Sequence, residues 1–178
     1  MLPYGKKKQL AYKKKRKGKN WTKQRIRRNY INACCDLWSI LIRHRDKVCV
    51  WCGGSKLLQA HHIVSKALLG GNLSGYIDLG NGMALCYNCH INRLKSEPDE
   101  YILIRNKFLE NLNKKLSHSI YQDMREKYKM KTKISLDDLK IIYEHDLKAQ
   151  VVALKIYSER LQKIHRRWIA PMEKAGVL

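Results

Sequence analysis

The chain has 178 residues, with 37 Lys plus Arg against 15 Asp plus Glu, a formal net charge of +22 and a pI near 9.9. That length suffices for one or two domains with a core of their own, and the hydrophobic fraction of 44% is that of a globular protein. So large a cationic excess repels itself in the folded state and calls for a polyanion, nucleic acid first and an acidic membrane surface second. No apolar run approaches the roughly 18 residues needed to cross a bilayer. Lysines from Lys6 onward interrupt any apolar leader. The expected setting is therefore cytoplasmic and not secreted, a reducing interior in which the six Cys serve as metal ligands and not as disulfides.

Residues 1–20 carry nine Lys or Arg and no acid, too little apolar content to offset chain entropy, and read as a disordered basic arm that binds phosphates. An N-terminal helix over 21–45 follows, capped by Asn20 or Thr22. Ile26, Tyr30, Ala33, Cys34, Leu37, Trp38, Leu41 and Ile42 recur at helical spacing, with Lys23, Arg25, Arg27 and Arg28 making a basic outer face suited to DNA. Cys34 and Cys35 read as small buried hydrophobes. From 46 to 96 the texture changes to short strands and turns. Leu57 to Val64 and Met83 to Leu85 read as strands, and Gly70, Gly71, Asn72, Ser74 and Gly75 as a loop.

Residues 97–178 return to helix. Ser96 with Asp99 has the pattern of a capping box before Pro98, and Ile104, Phe108, Leu112 and Leu116 mark one face. Ser135 with Asp138 caps a second stripe running from Leu136 through Tyr143, Val151 and Tyr157 to Trp168. As one helix this would be roughly 50 Å long and would need a partner along its length, either the rest of the chain or another protein, a second copy included.

The chemistry concentrates in the middle segment. Cys49-x-x-Cys52 and Cys86-x-x-Cys89 are two pairs in which a tight turn aims both thiolates at one point, and two such turns complete a tetrahedron. With all four positions taken by sulfur, the expected ion is structural zinc. His61 and His62 sit next to each other on an expected strand, so their side chains leave on opposite faces and do different work. His90 directly follows the last Cys and is held rigidly beside it.

The set Cys49-x-x-Cys52-Gly53, Leu58-Gln59-Ala60-His61-His62-Ile63-Val64 and Asn81-Gly82-Met83-Ala84-Leu85-Cys86-x-x-Cys89-His90 closely resembles the HNH nucleases, in particular the zinc-containing subgroup common in bacteriophages. The resemblance covers about residues 46–96. It implies an α+β chain with a ββα-metal core flanked by helices, acting as a metal-dependent DNA endonuclease that nicks or makes double-strand breaks, in the nucleoid or an infected host cell. Within that resemblance His62 is the general base, His61 and His90 hold a catalytic divalent ion (Mg2+, Mn2+, Ni2+ or Zn2+), Asn81 braces the loop that orients the base, and Lys66 contacts phosphate. Cleavage by relatives leaves a 5′-phosphate and a 3′-hydroxyl. Many relatives place another His where this chain has Leu94, so two imidazoles would serve here. The competing expectations are a non-catalytic zinc-containing DNA-binding protein, and a phage scaffold component docking through its C-terminal helix.

Overall fold

The computed structural model describes residues 21–113, 117–129, 134–154 and 158–178. The expected basic arm, Leu116 and Tyr157 lie outside these residues.

Of the two candidate caps, Thr22 is the one within the described residues. Its backbone is extended and its side chain accepts from the Arg25 amide at 3.2 Å, which starts α1 (Lys23–Asp46). The helix stops at Lys47, in the left-handed conformation at φ 60°, whose amide donates to the Arg43 carbonyl. Tyr30, Ala33, Cys34, Leu37, Trp38 and Leu41 form its buried stripe, as their spacing requires. Cys35, expected buried like Cys34, is only half-buried.

α1 lies across a two-stranded antiparallel hairpin, β1 (Leu58–His62) and β2 (Gly82–Cys86), in a register that pairs Leu58 with Cys86 and His62 with Gly82. β1 is shorter than the expected 57–64. Leu57 has φ 51°, incompatible with a strand, and beyond His62 the Val64 amide is taken by the Asn81 side chain instead of a strand partner. The connection between the strands is not the loop its glycines suggest. Ser65 caps a short α2 (Lys66–Leu69), Gly70 and Gly71 turn the chain at φ 54° and 87°, and Asn72 caps α3 (Leu73–Ile77), so Ser74 and Gly75 are helical. Gly75 earns its place by packing, since a Cβ there would lie 2.5 Å from Leu69 Cδ2.

β2 runs into a π-helical turn, Cys89–Arg93, then α4 (Leu94–Ser96), α5 (Pro98–Asn113) and α6 (Ser117–Lys129). Ser96 does not cap α5. Its hydroxyl points back to the Asn92 and Arg93 carbonyls and closes α4 instead. Tyr101, Ile104, Phe108 and Leu109 bring α5 onto the hairpin, whereas Leu112, expected on that face, is exposed.

The second stripe is not one rod. Both halves of the Ser135–Asp138 capping box form. They start a helical run, α7 (Leu136–Ile141), a π segment Ile142–Lys148 and α8 (Ala149–Ala153), that ends at Leu154. A second run comprises α9 (Ser158–Ile164), a π turn His165–Ile169 and α10 (Ala170–Glu173). Leu139, Tyr143, Leu147 and Val151 from the first, and Ile164, Ile169 and Met172 from the second, share one core with Tyr30, Cys34, Leu37 and Leu41 of α1. The two shorter runs each lay an apolar face on α1. The whole is α+β, mostly helical around a small sheet. No helix among the described residues is long and apolar enough to cross a membrane.

Candidate active site and metal centre

The first Cys pair sits on a turn closed by the Cys49 amide on the Gly54 carbonyl at 2.7 Å and the Gly53 amide on the Cys49 carbonyl at 2.8 Å. Gly53 has φ 74°, a conformation that costs other residues more. The second pair spans the end of β2, where the Cys89 amide donates to Cys86 Sγ at 3.5 Å. The four sulfurs, Cys49, Cys52, Cys86 and Cys89, lie within 4.8 Å of one another. Cys52 and Cys86 Sγ are 3.7 Å apart, close to the roughly 3.8 Å edge of a thiolate tetrahedron with metal–sulfur bonds of about 2.3 Å. The cluster thus fits a structural metal ion. Around it, Trp51 Nε1 donates to Glu100 at 3.0 Å, and the Arg93 guanidinium stacks 4.6 Å over Trp51 while binding Glu97 and Glu100. These contacts fasten the start of α5 to the knuckle. Among the described residues no other group of three or more His, Cys, Asp or Glu side chains is so arranged.

The two histidines of β1 leave on opposite faces, and each face is built by different residues. On one, Gln59 and His61, two apart and hence on the same side, meet the turn after β2. His90 Nδ1 lies 2.6 Å from Gln59 Oε1. The amide oxygen only accepts, so Nδ1 carries the proton and Nε2 keeps its lone pair. His61 Nε2 is 3.0 Å from the Tyr101 hydroxyl, and the His61 and His90 ring centroids are 5.0 Å apart. Burial foremost, then the neighbouring His90 and His62, pushes His61 down to about 3. Burial also lowers His90. Both rings are neutral at pH 7, the form that binds metals. Tyr101 is raised by burial and stays a phenol.

On the other face, His62 stacks on Trp38 of α1 with centroids 4.0 Å apart and planes at 14°. Its Nε2 lies 3.0 Å from the Tyr76 carbonyl, an acceptor, so the proton is on Nε2 and the lone pair on Nδ1. Burial lowers its pKa, the Tyr76 hydrogen bond opposes this, and the Lys66 charge adds to it. Asn81, fully buried, makes three bonds: its Oδ1 accepts from the Val64 amide at 2.7 Å, and its Nδ2 donates to the carbonyls of Val64 at 3.2 Å and Gly75 at 2.8 Å. It therefore ties the exit of β1 to the residue before Tyr76, fixing the carbonyl that holds His62.

Despite opposite directions, His61, His62 and His90 line one cleft of about 440 Å³, together with Lys66, Cys35 and Asp36. Lys66 is exposed at its rim, its Nζ 5.7 Å over the Tyr76 ring. Lys23, Arg25, Arg27 and Arg28 are not in the cleft. They sit in the first turns of α1, where Arg25 lies 4.6 Å over Trp21 and Arg27 is turned inward to the Ile134 carbonyl, while Lys23 and Arg28 are exposed. Leu94 packs on the knuckle core.

Trp38, Tyr76, Tyr101 and Gly82 were not marked as site residues by the sequence. Trp38 looked like one more stripe residue. Gly82 matters because a Cβ there would stand 2.5 Å from Ile42 Cδ1 and 2.6 Å from Trp38 Cζ2, so only glycine lets α1 press onto β2. Gln59 alone was readable, from its two-residue offset to His61. No family model, curated protein or solved structure matches the chain.

Proposed function

We propose that the chain is a metal-dependent DNA endonuclease of the HNH type, its four cysteines holding structural zinc and its cleft holding the reaction. One observation carries this reading. A neutral His62, with its tautomer set by a carbonyl and its ring clamped by Trp38, shares a cleft with a second pair of neutral imidazoles, His61 and His90.

His62 accepts at Nδ1 the proton of the attacking water, and the Tyr76 carbonyl stabilises the imidazolium that results. Trp38 prevents the ring from rotating out of line, and Asn81 acts as a positioning residue through Gly75 and Tyr76. His61 and His90 would hold a divalent ion, with Gln59 fixing the His90 ring and Tyr101 the His61 ring, an arrangement typical of outer-shell partners. Such an ion supplies neutralisation of the charge that grows on the scissile phosphate. A two-imidazole site suits manganese, nickel or zinc better than magnesium. Lys66 at the rim would meet a neighbouring phosphate. In-line hydrolysis leaves a 5′-phosphate and a 3′-hydroxyl. DNA is the substrate class favoured by the net charge of +22.

His62→Ala should retain its fold and DNA affinity while plasmid nicking falls by about 10²-fold or more. Undiminished nicking by this variant would remove the base from the mechanism. A wild-type protein that binds DNA but cuts none with any of these ions would be a non-catalytic module instead.

A further inference from the structure

A second, larger concavity of about 710 Å³ adjoins the cleft, and Asp36 and Ser39 of α1 belong to the walls of both. Its sides come from two elements distant in sequence. The last turns of α1 and its cap contribute Arg43, His44 and Lys47, and α9 contributes Arg160 and Lys163. Among the described residues Asp36 is the sole carboxylate of this lining, and it is engaged, accepting from Trp168 Nε1 at 2.7 Å.

Cations on the last turn of a helix are explained by its dipole, so Arg43 and His44 alone would mean little. Lys163 likewise lies in the last turn of its own helix, so the dipole accounts for it as well, but not for the placing of the two groups against each other. The fold sets residues of two helices facing each other across a concave surface, and like charges such as Lys47 and Lys163 so placed repel unless an anion lies between them. Lys47, Arg160 and Lys163 are exposed, as a ligand from solvent requires.

We propose that this groove is a backbone track that holds the phosphates of DNA flanking the bond presented to the cleft. The proposal rests on the DNA-cleaving reading of that cleft. Contacts of this kind fix register without reading bases, so the track positions substrate and adds affinity at any sequence.

The test compares Lys47→Gln/Lys163→Gln with a control, Lys107→Gln/Lys174→Gln, that removes the same charge from exposed sites outside the groove. Binding to one fluorescent duplex is followed by anisotropy at several salt concentrations with no divalent ion added. The groove variant should bind at least five-fold more weakly, with a log–log salt slope shallower by about 1.8 for two lost phosphate contacts, and the control should track the wild type. Equal losses in both variants would overturn the track and leave a bulk charge effect. Because no cleavage takes place, the outcome is separate from the nuclease reading. Protein that never cuts but shows the groove-specific loss keeps the track, and protein that cuts without that loss refutes it.

Discussion

The two faces of β1 differ in how they are held. The His61 face is assembled locally: Gln59 on the same strand, His90 one residue past the last cysteine, and a knuckle whose four sulfurs cluster within 4.8 Å. The His62 face is assembled from afar, by a tryptophan 24 positions earlier on α1 and a carbonyl 14 positions later, each placed by packing. One face rests on a cysteine cluster that fits a metal ion and the other on a close-packed helix. A cleft built this way could lose either support while keeping the other.

The largest effect should come from the coordinated face. Cys86→Ser removes one of four sulfurs from a cluster whose proposed metal binding would contribute on the order of 10 kcal/mol to folding. Bound zinc should drop well below one per chain, and the hairpin amides should lose exchange protection. Most of the helical circular dichroism should persist, because α1 shares its main core with α7–α10 and not with the knuckle. Full metal content in this variant would refute the four-cysteine site. Global unfolding would instead show that the two faces form one cooperative unit.

Gly82→Ala attacks the packed face. The new methyl would meet Ile42 and Trp38 at 2.5 and 2.6 Å, and overpacking of this kind costs about 1–3 kcal/mol. Unlike the cysteine variant it should keep its zinc, and it should lose cleavage beyond its loss of stability, because Trp38 must move off His62. Denaturant unfolding, zinc content and nicking rate measured together check this. A variant as stable and active as the parent would mean that the helix can retreat without cost.

The same contrast explains what was legible. Fixed spacings announce themselves: the paired cysteines, adjacent histidines and Ser135–Asp138 box need only neighbours along the chain, and the α1 stripe follows from helical period. Trp38, Tyr76 and Tyr101 act through contacts that no spacing encodes, and composition cannot tell a stripe tryptophan from one stacked on a histidine. The stretch from Gly70 to Gly75 reads as loop, and Gly70 and Gly71 do turn the chain, yet Asn72 caps a helix that takes in Ser74 and Gly75. The long C-terminal stripe kept its three-and-four steps across a break at Leu154, because both pieces pack on the same partner. Periodicity records which face is buried, not whether the helix is continuous.

The smallest expected effect lies where the packed face is anchored. Asp78 accepts from Trp38 Nε1 through its carbonyl at 2.9 Å, and its carboxylate receives Lys127 at 2.9 Å, the Tyr128 hydroxyl at 2.7 Å and the Gly80 amide at 2.7 Å. Burial alone would raise its pKa, but the hydrogen bonds from Lys127, Tyr128 and Gly80 and the lysine charge outweigh it and hold the carboxyl below the usual aspartate range. A depressed folded pKa means stability that is present above the unfolded pKa, near 3.9, and is lost as pH falls through the folded value. Asp78→Asn should therefore cost about 1–2 kcal/mol at neutral pH, the scale of hydrogen bonds to a charged group. The difference from the parent should start to shrink below about pH 4, as the unfolded chain's carboxyl protonates, and be gone once pH falls below the depressed folded value. Urea titrations of both proteins across that range measure it. A gap that stays constant with pH would show that the amide is disturbing geometry and not charge.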